Sequence, residues 1–107
     1  MFASTFNPGA GYTVSPINTD SIADRSGTVT TGATAQQVAG ANSFRRGFFL
    51  QNTSVGDLWV SEVGIATAAS PSFRIPAGEA FSFPATPSAA VSVYGATTGQ
   101  AFTAREW

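Results

Sequence analysis

The chain of 107 residues suits a single small domain. It lacks Cys, His and Lys, which excludes disulfides, thiolate metal sites and Ser-His-Asp or Cys-His catalysis. Its net charge is −1, and nucleic-acid binding needs clustered cations, so we expect no nucleic acid as a partner. Charged residues make up 10% of the chain, below the usual ~25%, which indicates that much of the surface faces other proteins.

Residues 1–25 contain apolar side chains without helical or alternating spacing, and Pro8 and Pro16 oppose regular structure. Disordered tails are usually charged and poor in aromatic residues, whereas this segment carries two Phe and one Tyr. We therefore expect an extended N-terminal arm over residues 1–25 that docks on a partner, with a disordered tail as the alternative. The candidate contacts of the arm are Phe2, Phe6, Tyr12 and Ile17.

The same segment has neither a basic start nor a long apolar run. We therefore expect no secretory signal, and the chain as a whole has no stretch that approaches the ~20 apolar residues of a membrane span. No membrane is expected as a partner.

From residue 26 onward the chain alternates short strand-like segments with Gly, Pro and Asn. The segments are 26–32 (SGTVTTG), 34–42, 44–54 (FRRGFFLQNTS), 57–64 (DLWVSEVG), 73–84 (FRIPAGEAFSFP), 91–96 and 100–107. Residues 34–42 also fit one helical turn. The pattern predicts an all-β domain over residues 26–107, a small antiparallel β-sandwich or jelly-roll-like barrel of about seven strands without a long helix.

Two neighbouring segments alternate clearly between apolar and other residues. Phe48 and Leu50 share one face of the first, and Leu58 and Val60 share one face of the second. Residues 52–56 between them favour a turn, so the two segments predict a β-hairpin.

A second turn is predicted at Ile75-Pro76-Ala77-Gly78, because Pro suits the second turn position and Gly78 can adopt a positive φ. After this turn Phe81 and Phe83 fall on one face of a strand, which predicts that they are buried.

The acidic residues offer no catalytic arrangement. Asp57 and Glu62 lie five residues apart and point to opposite faces of a strand. No run of acids suits calcium, and the glycines of NPGAGY lack the Lys of a phosphate-binding loop. We expect that the protein is not an enzyme and has no cofactor and no metal.

The exposed aromatic residues and the arginine pair have two interpretations each. Trp59, Tyr94 and Trp107 favour a core or subunit interface over a platform for a sugar ring. Arg45 and Arg46 form either a solvated strand start, with one Arg over Phe48, or one side of an ion pair between subunits. The candidate acidic partners for such a pair are Glu62, Glu79 and Glu106.

The chain stops in a strand-like segment, QAFTAREW, although chain ends are usually loose unless they are held in place. We expect this strand to complete a sheet or a seam between subunits, with Arg105 and Trp107 at the interface and Trp107 packed against a neighbour.

Three segments, RRGFFLQNTSVGDLWV, FRIPAGEAF and SVYGATTGQAFTAREW, occur in that order and spacing. Over residues 26–107 the chain resembles a recurring small virion protein of tailed bacteriophages, and the closing segment is the most specific part. The resemblance implies a structural protein of the head or its appendages: a decoration (cement) protein, a head-fibre base, or a neck or tail component.

The resemblance and the composition together predict a non-enzymatic virion protein, made in the host bacterial cytoplasm, and most simply a capsid decoration protein. Its expected partners are the major capsid protein or other virion proteins and further copies of itself, a trimer before a dimer. The alternatives are a fibre base, a neck or tail component, or a carbohydrate-binding module of a receptor-binding structure. The interface residues predicted are Phe2, Phe6, Tyr12, Ile17, Arg45, Arg46, Trp59, Arg105 and Trp107.

Overall fold

The computed structural model of the protein describes residues 22–107, and within that range every regular element is a β-strand. The strands are β1 (Ala23–Asp24), β2 (Gly27–Thr28), β3 (Gln36–Ala39), β4 (Phe48–Asn52), β5 (Leu58–Ser61), β6 (Phe73–Ile75), β7 (Ala80–Phe81), β8 (Val91–Gly95) and β9 (Ala101–Glu106). The predicted all-β class is therefore confirmed for these residues, and residues 34–42 contain a strand rather than a helical turn.

The strands form two antiparallel sheets. The first has the order β1-β9-β4-β7, with β2 also paired to β9, and the second has the order β3-β8-β5-β6. Both sheets turn one apolar face to a shared core, because alternate residues of each strand point to the same side. The buried apolar side chains of that core are Val29, Ala39, Phe48, Leu50, Leu58, Val60, Ile75, Phe83, Val91, Val93, Phe102 and Ala104.

The predicted hairpin of residues 44–54 and 57–64 is wrong, although its apolar faces are right. β4 pairs with β9 and β7 in the first sheet, whereas β5 pairs with β8 and β6 in the second. Leu50 and Leu58 are both fully buried. The two strands therefore satisfy their apolar faces by lying in different sheets on either side of the core.

The buried side chain of Asn52 directs this crossing. Its amide nitrogen donates to the carbonyls of Gly56 and Ile75, both at 2.8 Å. Its amide oxygen accepts from the backbone N–H of Ser54 at 2.9 Å and from the Ser54 hydroxyl at 2.7 Å. These bonds turn the chain out of the first sheet at the end of β4 and tie it to β6 of the second sheet.

The second turn is confirmed at Gly78, which has φ +80. It also links different sheets, because β6 pairs with β5 and β7 pairs with β4. After it Phe83 is buried, and Phe81 packs against it edge to face with ring centroids 5.0 Å apart. The predicted burial is confirmed for Phe83, whereas Phe81 is only partly buried.

The last strand of the chain lies inside the first sheet. β9 pairs with β4 over five residue pairs and with β1 and β2 on its other side. It is held in place because it completes a sheet, which was one of the two expectations for it. β1 lies within the range predicted as an arm, so the sheet includes Ala23 and Asp24.

Candidate functional site

The predicted interface residues lie in several separate places. Phe2, Phe6, Tyr12 and Ile17 fall outside the described residues. Arg105 lies on the outer face of the first sheet, where its Nη1 is 2.8 Å from Asp24 Oδ1. The remaining predicted residues, Arg45, Arg46, Trp59 and Trp107, are described below.

Arg45 is buried inside its own chain, so a solvated strand start is wrong for this residue, and its ion pair with Glu106 lies within the chain. The expected position of one Arg over Phe48 is confirmed. Its side chain is 0% exposed, and Nε lies 2.7 Å from Glu106 Oε1. It comes before β4 rather than within it, so strand alternation does not decide where its side chain points. The guanidinium carbon lies 6.0 Å from the centre of the Phe48 ring.

The same guanidinium holds three backbone carbonyls. Nη1 donates to the carbonyls of Pro87 at 2.6 Å and Ala89 at 3.0 Å, and Nη2 donates to that of Gly40 at 2.6 Å. The planar fork of Arg suits such a set of acceptors because its donors have fixed directions. Arg45 thus joins the chain after β3 to the chain before β8.

Glu106 is the shared partner of two arginines. Arg25 Nε lies 2.6 Å from its second oxygen, Oε2, and Arg25 is half exposed. Burial raises the pKa of the Glu106 carboxyl. Hydrogen bonds from Arg45 and then Arg25 lower the pKa by more than burial raises it, so the pKa lies below its ordinary value. The carboxylate therefore stays ionised between the two guanidinium groups.

Trp107 covers a glycine of its own chain. A Cβ at Gly47 would collide with the Trp107 indole, so any side chain at this position would displace the indole. The backbone N–H of Trp107 donates to the Gly47 carbonyl. The backbone carbonyl of Trp107 accepts from the backbone N–H groups of Arg46 and Gly47. One side of the indole thus packs within the chain, and its contact with a neighbouring subunit stays a prediction.

Trp59 and Tyr94 form a partly buried pair on the outer face of the second sheet. They are directly opposite each other in the β5–β8 register, and Arg74 is opposite Trp59 on β6. Arg74 Nη1 lies 3.2 Å from Asp57 Oδ2. The two aromatic side chains therefore lie beside the exposed ion pair of the Arg74 guanidinium and the Asp57 carboxylate.

A groove of about 580 Å³ lies beside β3 and β8, with the loop of residues 62–65 as one wall. The loop is fixed at both ends. The Val63 N–H donates to Ser61 Oγ at 3.2 Å, and the Ala66 N–H donates to Ser92 Oγ at 3.0 Å. Among the lining residues Glu62 alone is charged.

Val63 and Ile65 stand on this fixed wall and are 69% and 77% exposed. Covering a side chain of this size completely is worth about 1.5–3 kcal/mol. Phe44 is 88% exposed and precedes Arg45, which binds the carbonyl of Ala89 on the groove's lining. The groove's wall therefore carries two large uncovered apolar side chains, and a third, Phe44, precedes a residue that contacts its lining.

Sequence reasoning did not select these three residues. A signal was present for two of them, because Val63 and Ile65 flank Gly64 in a turn, where polar residues are usual. Phe44 was included in a strand that begins only at Phe48.

Within residues 22–107 no group of three or more acidic, His or Cys side chains is placed to hold a metal ion. The same residues include no helix long and apolar enough to cross a bilayer. Comparison of the chain with protein-family models, curated proteins and solved structures gave no match.

Proposed function

We propose that this chain is a non-enzymatic structural protein of a tailed-bacteriophage virion, made in the host bacterial cytoplasm. Within that class we favour a capsid decoration protein that binds and stabilises the head through its β domain and its N-terminal arm. Its partners are the major capsid protein or other virion proteins, and it assembles with itself, as a trimer before a dimer.

The observation that carries this proposal is the group of exposed apolar side chains at one end of the fold. Val63 and Ile65 line the groove, and Phe44 precedes Arg45, whose guanidinium binds the carbonyl of Ala89 on the groove's lining. Each of the three apolar side chains is more than two-thirds exposed. Exposed apolar side chains that lie together indicate an interaction site, whereas apolar residues scattered singly over a surface do not. A protein that coats a particle uses such a region against its neighbours.

The connectivity is a second support. Within residues 22–107, six of the eight connections between successive strands pass from one sheet to the other. We propose that the two sheets form a jelly-roll-like sandwich, an architecture common in capsid proteins.

The test is sedimentation of purified protein with mature heads and with isolated tails of the phage that encodes it. We expect saturable binding to heads and, for Phe44→Asp, affinity reduced at least about tenfold by loss of a buried apolar contact. Val55→Asp is the matched control, because Val55 is 101% exposed and lies at the other end of β5 from the groove.

Binding to tails instead of heads would overturn the decoration role and favour a neck or tail component. Binding to neither particle would overturn the virion assignment. Equal binding by Phe44→Asp and the wild type would remove the apolar end from the proposal. Native mass of the free protein tests the trimer separately.

A second candidate, carbohydrate binding on a receptor-binding structure, is favoured by the Trp59–Tyr94 pair. Sugar rings stack on aromatic faces, and Arg74 with Asp57 supplies polar groups beside the pair. This function predicts saturable binding to glycans of the host surface that is lost in Trp59→Ala and kept in Phe44→Asp. Absence of binding to host glycans would remove it.

A further inference from the structure

The groove beside β3 and β8 has a fixed wall with nothing in residues 22–107 to cover it. Val63 and Ile65 point their exposed side chains from a loop that Ser61 and Ser92 hold in place. A fixed apolar surface of this kind is preorganised for an occupant, since little ordering is needed when the occupant binds.

The beginning of the described chain is linked to this groove by a series of contacts. Ala23 pairs with Glu106, Glu106 binds Arg45, and the Arg45 guanidinium donates to the carbonyl of Ala89 on the lining of the groove. Three direct contacts therefore connect the first strand with the rim. Residues 1–21 are joined to the fold at this end.

The length and composition of the preceding segment suit the groove. An extended chain spans at most ~3.6 Å per residue, so the ten residues from Tyr12 to Ile22 reach up to ~36 Å. Residues 12–17 (YTVSPI) carry three apolar side chains, Tyr12, Val14 and Ile17, and no charge that would be repelled by Glu62. A segment joined by so short a tether has a local concentration in the millimolar range.

We propose that residues 12–17 dock in the groove of their own chain and cover Val63 and Ile65. This inference concerns contacts within one chain. It leaves Phe44, at 88% exposure, as the apolar side chain of this end that stays open to a partner, so the virion role then rests on Phe44.

The absence of Cys from the natural chain makes a cross-linking test direct. The full-length double variant Val14→Cys with Val63→Cys is oxidised at low protein concentration. The matched control is Val14→Cys with Val55→Cys, since Val55 is at least as exposed but lies at the opposite end of β5. Mixing labelled and unlabelled protein separates cross-links within a chain from those between chains.

We expect the Val63 pair to cross-link within one chain at least about tenfold faster than the Val55 pair, because docking raises its effective concentration. Equal rates for the two pairs would overturn the proposal. Cross-links between chains would also overturn it and would assign the segment to a second copy.

Hydrogen exchange of the full-length chain gives an independent measurement without new cysteines. We expect residues 12–17 to exchange faster in Ile65→Asp than in the wild type, and unchanged in Val55→Asp. Both substituted side chains are exposed, so neither variant disturbs the core. Exchange at the same rate in all three proteins would contradict docking.

Discussion

The two ends of the β4–β9 ladder are closed by buried polar side chains of different kinds. At the end where Asn52 pairs with Phe102, the polar groups are neutral, and we call this the amide end. Gln100 completes it by donating from Nε2 to Ser54 Oγ at 3.2 Å and to the Asp57 carbonyl at 3.0 Å. At the other end, where Phe48 pairs with Glu106, the polar groups are ions, the buried Arg45 and Glu106 together with the half-exposed Arg25, and we call this the ionic end.

The chemical difference between the two ends corresponds to the parts of the chain that each end binds together. The amide end satisfies backbone groups of the loops that cross between sheets, a role that neutral amides perform at any pH. The ionic end joins segments from distant parts of the chain, adjoins the groove and adjoins the start of the described chain. Its strength depends on ionisation, so the apolar end of the fold is supported by contacts that acid can weaken.

The largest effect is expected from Arg45→Met at the ionic end. Removing one partner of a buried ion pair leaves the other charge poorly compensated and typically costs ~3–5 kcal/mol. Three backbone carbonyls lose their donor in the same variant. Chemical unfolding followed by tryptophan fluorescence measures the loss in the free energy of unfolding.

Arg25→Met is the matched control, because Arg25 binds the same carboxylate but is half exposed. Its loss should cost about 1 kcal/mol or less, as for other partly solvated pairs. Equal losses in Arg45→Met and Arg25→Met would show that burial does not distinguish the two contacts.

Asn52→Ala should produce the next largest loss, at the amide end. It removes the Asn52 donor from the buried carbonyl of Ile75, and a buried group left unpaired costs ~1–3 kcal/mol. The Gly56 carbonyl keeps the Ser54 hydroxyl at 3.0 Å. Asn42→Ala provides the control, because Asn42 makes a comparable turn bond to the Phe44 N–H at an exposed position. If the two variants lose the same free energy of unfolding, Asn52 does not hold the connection that passes from β4 in the first sheet to β5 in the second.

The dependence of stability on pH should separate the ends. The pKa of Glu106 is lowered in the folded protein, so its contribution is complete above the unfolded value of about 4.3 and is lost as pH falls through the folded pKa. Unfolding free energies measured from about pH 7 to about pH 3 should therefore decline less steeply in Glu106→Gln than in the wild type. The pKa of Asp24 is also lowered, by hydrogen bonds from Ser26, and this contribution remains in both proteins.

Asn52→Ala should keep the pH dependence of the wild type, since no titrating group is removed. A parallel curve for Glu106→Gln, or a flatter one for Asn52→Ala, would contradict the assignment of the pH-sensitive contact to the ionic end.

Local alternation in the sequence was sufficient to predict which faces are buried. Phe48, Leu50, Leu58 and Val60 point to the core as their spacing indicates. Alternation did not predict which strands pair. Two successive strands can bury their apolar faces in one core whether they lie in the same sheet or in opposite sheets. The turn residues around Asn52 were visible, but the carbonyl of Ile75 that makes its burial favourable comes 23 residues later.

The same limit applies to the site. Arg45 and Glu106 are separated by 61 residues, and the sequence shows only an arginine before a strand and an acid near the last residue. Glu106 was among three candidate partners, but no local pattern distinguishes a pair within a chain from one between chains. The exposed wall of Val63 and Ile65 was missed because strand spacing carries no information on loops.

The smallest effect is expected for the surface pair Asp57–Arg74, which adjoins the amide end. Both side chains are about half exposed, so Asp57→Asn should change the free energy of unfolding by only ~0–1 kcal/mol. The backbone carbonyl of Asp57, which accepts from Gln100, is kept in this variant, so the buried amide network is intact. A loss as large as that of Asn52→Ala would mean that surface charge, rather than buried amides, holds this end, and the contrast between the two ends would disappear.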